Sequence, residues 1–249
     1  MLDGPFPAES CMSLAEHRGA LAPLGFLRVA INLGNPVLAQ GDARSPRGPS
    51  LELATALAQR IGVQARFRCH DAAASVVAAA NEDGWDLAFL AIDPARADRI
   101  AFSAPYVEIE GTYLVREDSP ARQVDDLDHE GLRIAVGRGA AYDLFLSREL
   151  RHATIERAET SAAAIRLFAQ QRLDAAAGVR QPLAAWAQAH PGHRVLADRF
   201  TAIQQAVAAP ASRPAEALQA LFDEVEAIKA GPLLEAAFGR AGQAVTLVR

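Results

Sequence analysis

Apolar and polar positions alternate from Leu27 to Gly34 (LRVAINLG), a period of two that predicts a first buried strand. The Gly- and Pro-rich GNPVLAQGDARSPRGPS that follows reads as a long loop. The period then changes. Leu51, Ala54, Leu57 and Ile61 recur at helical spacing, which predicts an amphipathic helix over Ser50 to Ile61, stopped by Gly62. VQARFRC, from Val63, alternates as a second strand, and the alanine-rich Asp71 to Asn81 reads as a second helix. DLAFLAI, from Asp86, does not alternate: an apolar run bounded by Gly84 and Pro94 predicts a strand buried on both faces. Strand, helix, strand, helix, strand is the order of a parallel sheet with crossover helices.

The same order returns further on. Phe102-Ser103-Ala104-Pro105-Tyr106 leads into an extended segment, Val107 to Val115, and then a polar linker, EDSPARQVDDLDHEG. Leu132 to Val136 predicts a strand that enters the turn Gly137 to Ala141 and a helix, Tyr142 to Arg151. ATIERAE, SAAAIRLFAQQRL and DAAAGV repeat strand, helix, strand. A helix around Trp186 and a loop at PGH precede FTAIQQAVAAP, a strand returning from the second unit to the first, and two helices broken at Gly231 follow, Pro214 to Lys229 and Pro232 to Arg240. Two βαβ units joined by two crossings predict two lobes with a cleft between them, a topology that permits hinge closure around a small ligand. The expected division is an N-terminal extension over 1–26, lobe 1 over 27–110 and 207–249, and lobe 2 over 111–206. Within the extension, 1–12 reads as a loose tail and Ser13 to Leu21 as a short helix.

The chain has 249 residues, enough for a substantial core, and 51% hydrophobic with 22% charged residues excludes disordered and fibrous classes. A formal net charge of -5 removes the electrostatic reason to expect nucleic acid or anionic membrane as a partner. Cys11 and Cys69 are the cysteines, with no CxxC and no His at metal-ligand spacing, so neither a metal nor another cofactor is expected. A disulfide between them stays open, although Cys69 at a strand end can act as a small hydrophobe. No run of about 18 apolar residues suggests a membrane span. Met1 to Gly25 begins acidic and lacks the apolar core of a secretory leader, so the chain as written reads as soluble and not obviously exported.

Candidate chemistry gathers where loops follow parallel strands, at the carboxyl edge of the sheet. Asn32, Asn35 and Leu38 are expected to face the cleft there. Asp93-Pro94-Ala95-Arg96 has the form of a helix start with Asp93 as N-cap, placing Arg96 in the first turn. A guanidinium offers two parallel donors to the two oxygens of a carboxylate; the alternative is an ion pair with Asp93 or Asp98 on a solvated helix. Opposite it, Gly137-Arg138-Gly139-Ala140-Ala141 presents backbone N–H groups at a positive helix end, which suits an anion. That turn lacks the third glycine and downstream acid of a dinucleotide fingerprint and is no Walker loop. Arg96 from one lobe and the amides at Gly139, Ala140 and Ala141 from the other are expected to hold one carboxylate, against an apolar wall of alanines and Val179.

The stretch Asp86 to Val115, with Arg96 six residues before Phe102 and the Phe-Ser-x-Pro-Tyr motif, together with RLDAAAGV, resembles the bacterial extracellular solute-binding proteins of the amino-acid type, family 3. The likeness covers about Leu27 to Arg240. It implies a type II periplasmic-binding-protein-like α/β fold: two lobes, each a mainly parallel sheet flanked by helices, joined by two crossing segments. In that family the Arg grips the ligand carboxylate, a role that falls to Arg96. The turn's hydroxyl donor is replaced by Ala141, the aromatic stacking platform by Asn35 and Leu38, and the hydroxyl-rich turn before the Arg by Ala91, Ile92 and Asp93. The family's ammonium-binding Asp is replaced by Val179. Either the ligand lacks an α-amino group, or Asp93, Glu108 or Glu110 takes over.

The resemblance further implies a small carboxylate-bearing ligand, an ABC-type permease as partner, a monomer, and periplasmic residence; without a leader, a complete chain would stay in the cytoplasm. No catalytic residue is assigned. The alternatives are a cyclohexadienyl- or arogenate-dehydratase-like enzyme with Asp93 or Glu108 as its acid, and a ligand sensor without a transport role. Cys69-His70-Asp71 is contiguous at a strand end, where alternating side chains cannot all converge.

Overall fold

The computed structural model describes residues 13–80 and 82–249. Cys11, the tail predicted over 1–12 and Asn81 lie outside the described residues. A 3-10 turn (Leu14–His17) and the single-turn helix α1 (Arg18–Leu21) stand where one short helix was expected. Then follow β1 (Phe26–Asn32), α2 (Pro49–Ile61), β2 (Gln64–His70), α3 (Ala73–Ala80) and β3 (Leu87–Ala91), in the order the periodicity predicts. Gly62 ends α2 in the left-handed region, φ 79°, where a residue without Cβ is favoured. β1 pairs in parallel with β2 and with β3.

The uninterrupted apolar run in β3 has its reason in two-sided packing. Leu87, Phe89 and Ala91 join the large core that includes α2, and Ala88 and Leu90 join a second cluster with Val76 of α3 and Trp85. All five β3 residues are buried. Just before them, the Asp86 carboxylate accepts from the backbone N–H of Arg28 (2.9 Å), from the Arg28 guanidinium (2.7 and 3.0 Å) and from Arg213 (2.7 Å). One acid thereby ties β1, β3 and the segment after the last long strand together.

The second half comprises a 3-10 turn (Pro94–Arg96), β4 (Ile100–Phe102), β5 (Val107–Arg116), a 3-10 turn (Val124–Leu127), β6 (Arg133–Gly137), α4 (Ala141–Glu149), β7 (Thr154–Ala158), α5 (Ser161–Gln171), β8 (Ala175–Val179), α6 (Arg180–Ala189), β9 (His193–Val195), β10 (Thr201–Pro210), α7 (Ala215–Lys229), α8 (Leu233–Arg240) and β11 (Thr246–Leu247). The strand order is β2-β1-β3-β10-β5-β8-β6-β7. β6 is parallel to β7 and β8. β5 and β10 serve both lobes. Residues 107–111 of β5 pair with 201–205 of β10, and beyond Gly111 β5 runs against β8 while beyond Gln205 β10 runs against β3. Two antiparallel strands therefore join the parallel set β2-β1-β3 to the parallel set β8-β6-β7 within one continuous sheet.

Three short strands were not anticipated, because two or three residues are too few to show a period. β4 pairs with β10, β9 with β5 where a loop was expected, and β11 with Glu108 and Val107. No helix among the described residues is long and apolar enough to cross a membrane.

Candidate functional site

The carboxyl ends of β1, β3, β6 and β8 meet in the space between the lobes, as the handedness of βαβ units requires. The cleft there spans about 530 Å³ when the solvent space at its open mouth is counted. Arg96 reaches it from a one-turn support: Asp93 caps the 3-10 turn by accepting from the Ala95 N–H at 2.9 Å. Arg96 is 4% exposed, and its guanidinium donates to the Ala91 carbonyl at 2.8 Å and, across the gap, to the Gly139 carbonyl at 3.1 Å. Burial pulls its pKa below the usual arginine value, and the nearby Asp93 carboxylate opposes that shift.

Of the residues singled out in the sequence, Arg96, Ala91, Asn32, Asn35, Ala140, Ala141 and Val179 line the cleft. Asp93, Glu108, Glu110 and Gly139 are not among its lining residues. Asp93 is nearly buried and turned to the other side, in an ion pair with Arg148 of α4 at 3.1 Å that also links the lobes. Glu108 pairs with Arg199 at 2.7 Å and Glu110 with Arg180, both beside the crossing strands. Each acid considered as a substitute for an ammonium-binding Asp thus has an arginine of its own.

The turn into α4 is built from inside. The Gly139 N–H donates to Asp143 at 2.8 Å, Asp143 is gripped by Arg157 at 3.0 Å, and the Ala140 N–H donates to the Gly137 carbonyl at 3.1 Å. The first-turn amides of Ala141 and Tyr142 lack intrahelical acceptors by helix geometry, so these are the N–H groups the turn offers to an anion. Gly139 adopts φ +67°, and a Cβ there would lie 3.0 Å from the Ala74 Cβ in α3 of the opposite lobe. We therefore expect Gly139→Ala to lose about 1 kcal/mol of stability from the left-handed backbone. It should also weaken ligand binding, because the added methyl meets Ala74 where the lobes touch. Urea denaturation reads the first effect and calorimetric titration the second.

Sequence reasoning missed Arg138, Gln205, Thr160, Ser161 and Tyr142, all of which line the cleft. Gln205 carried a signal: it is a polar residue beside a buried apolar run, 5% exposed, at the point where β10 passes between lobes. Thr160 caps α5 by accepting from the Ala163 N–H, and the Tyr142 hydroxyl donates to Ser161 at 2.8 Å. Among the described residues no cluster of His, Cys, Asp and Glu is placed to hold a metal ion.

The sequence model of the bacterial extracellular solute-binding proteins, family 3, matches residues 27–230. A search of curated proteins finds no match. Solved structures share the fold. A mutant of ArgBP from T. maritima superimposes with a TM-score of 0.75 at 19% identity, over 93% of this chain and 99% of that one. The solute receptor for L-cysteine of Neisseria gonorrhoeae gives 0.77 at 21%, over 92% and 93%. An ancestral amino acid-binding protein described as a precursor of cyclohexadienyl dehydratase gives 0.75 at 22%, over 91% and 99%.

Proposed function

This chain belongs to the bacterial extracellular solute-binding proteins, family 3, and from that membership we propose that it closes its two lobes around a small carboxylate-bearing ligand that has no α-ammonium group. The observation that carries this reading is a charge imbalance: the buried Arg96 lines the cleft, and no Asp or Glu among the described residues does. A carboxylate satisfies the remaining Arg96 donors and the first-turn amides of α4. An ammonium would be desolvated beside Val179 with no acid to meet it, at a cost of several kcal/mol. Lobe 1 (27–110 and 207–249) and lobe 2 (111–206) close as a monomer, the ligand supplying the bridge. The closed form is then presented to an ABC-type permease in the periplasm.

Turnover is disfavoured on the same grounds. A dehydratase needs an acid free to protonate its substrate, and both candidates, Asp93 and Glu108, are held in ion pairs outside the cleft lining.

Thermal-shift screening against keto acids, dicarboxylates and L-amino acids tests the reading. Stabilisation by carboxylates without an ammonium supports it, and a tight, stereospecific complex with an L-amino acid overturns it. Val179→Asp is expected to reverse the preference, lowering affinity for such anions by like-charge repulsion and admitting L-amino acids. The change should be at least about tenfold in each direction by calorimetric titration.

A further inference from the structure

Arg138 is the cleft's second cation, and nothing in the family resemblance assigns it. It stands between β6 and α4, its backbone N–H anchored on the Ala158 carbonyl at 2.8 Å. The residue is exposed and lines the cleft, and its side chain has no hydrogen-bond or ion-pair partner among the described residues. Two acids on neighbouring elements are engaged elsewhere, Asp143 by Arg157 and Asp93 by Arg148, and Asp71 lines the adjoining pocket and not this cleft. Among the described residues the lining therefore carries two arginines and no carboxylate side chain, and a monoanion would leave one of the two charges uncompensated.

The neutral polar groups point the same way. Asn32 Oδ1 accepts from the Gly34 N–H at 2.9 Å and Asn35 Oδ1 from the Val37 N–H at 3.3 Å, so both side chains turn their NH2 donors away from those bonds. Ser161 Oγ accepts from the Tyr142 hydroxyl, leaving its own hydrogen to donate. A lining rich in donors suits a ligand rich in acceptors.

Resting on the carboxylate reading above, we infer that the ligand is a dianion: a dicarboxylate without an ammonium group, one acid on Arg96 and the α4 amides, the other on Arg138. Arg138 then sets specificity, since the Arg96 end alone accepts any carboxylate.

The test is isothermal titration, at one ionic strength, of the dicarboxylates from malonate to adipate and of monocarboxylates of matching chain length, against wild type, Arg138→Gln and Arg138→Lys. At one chain length the dicarboxylate should bind at least about tenfold tighter than its monocarboxylate, the worth of a charge-assisted contact. Arg138→Gln should abolish that preference while changing monocarboxylate affinity by less than about twofold, and Arg138→Lys should restore part of it. Arg138 is exposed, so both variants should fold as wild type, which unchanged circular dichroism would verify. Equal binding of mono- and dicarboxylates overturns the inference and leaves the carboxylate reading standing. So does a preference that survives Arg138→Gln, or an equal loss for both ligand classes. Failure of every carboxylate to bind overturns both.

Discussion

Arg96→Ala should abolish the stabilisation that a carboxylate ligand gives to the folded protein. The wild-type guanidinium is buried, fixed by the Ala91 and Gly139 carbonyls, and lines a cleft with no acid among its described residues. Removing one partner of a buried, hydrogen-bonded charge pair costs about 2–5 kcal/mol of binding, which is more than a tenfold loss of affinity at the low end. The ligand-free protein should be affected far less. Its two carbonyl bonds are lost, but the cost of burying an uncompensated charge is lost with them, and water can enter the cleft. Calorimetric titration and paired melting curves separate the two effects. A ligand-induced shift that survives the substitution would remove Arg96 from the site.

Asp86→Ala should have the largest effect on stability and almost none on affinity. The carboxylate is fully buried between Arg28 and Arg213, whose side chains are only 20% and 16% exposed. Its loss strands two largely desolvated guanidinium groups and frees the Arg28 N–H, at a cost of about 3 kcal/mol. For a chain of this size that corresponds to a melting point lower by roughly 6–12 °C. Asp83→Ala is the control, because Asp83 contacts the same arginines but is 72% exposed and should cost less than about 1 kcal/mol. Since Asp86 precedes β3 and the cleft lies at the other end of that strand, ligand affinity per folded molecule should stay within about twofold of wild type. Equal losses from the two aspartates would contradict this account of what ties β1 to β3.

The chain's periodicity predicted most of the architecture because burial and period are the same physical fact. The fully apolar β3 is packed on both faces, and the three- and four-residue spacing of α2 is one helix face against the sheet. What lay beyond the sequence was pairing at long range. Asp93 reads as a cap, and it is one, but its ion pair with Arg148, 55 positions away, is set by how the lobes meet. Gln205 and Arg138 carry no distinguishing period, because a polar residue in a strand or turn ordinarily faces solvent. The crossing geometry of β10 buries Gln205 against the cleft, while Arg138 lines it and stays exposed. The Asp143 bond to the Gly139 amide was within reach of the sequence, since an acid at the third position of a helix commonly takes an N–H from the residues before it. Val179 was informative for the opposite reason: its apolar side chain at a cleft position limits what charge a ligand can carry.

The most direct test of closure on an anion is the distance between the lobes, read by electron–electron resonance from spin labels at Ala78 of α3 and Glu149 of α4, both exposed, with the native cysteines replaced by serine. Saturating dicarboxylate should shift the distribution to a single shorter distance in the wild-type background and leave it unchanged with Arg96→Ala. An identical distribution with and without bound ligand, in a protein shown by titration to be saturated, would contradict closure of the two lobes around an acid.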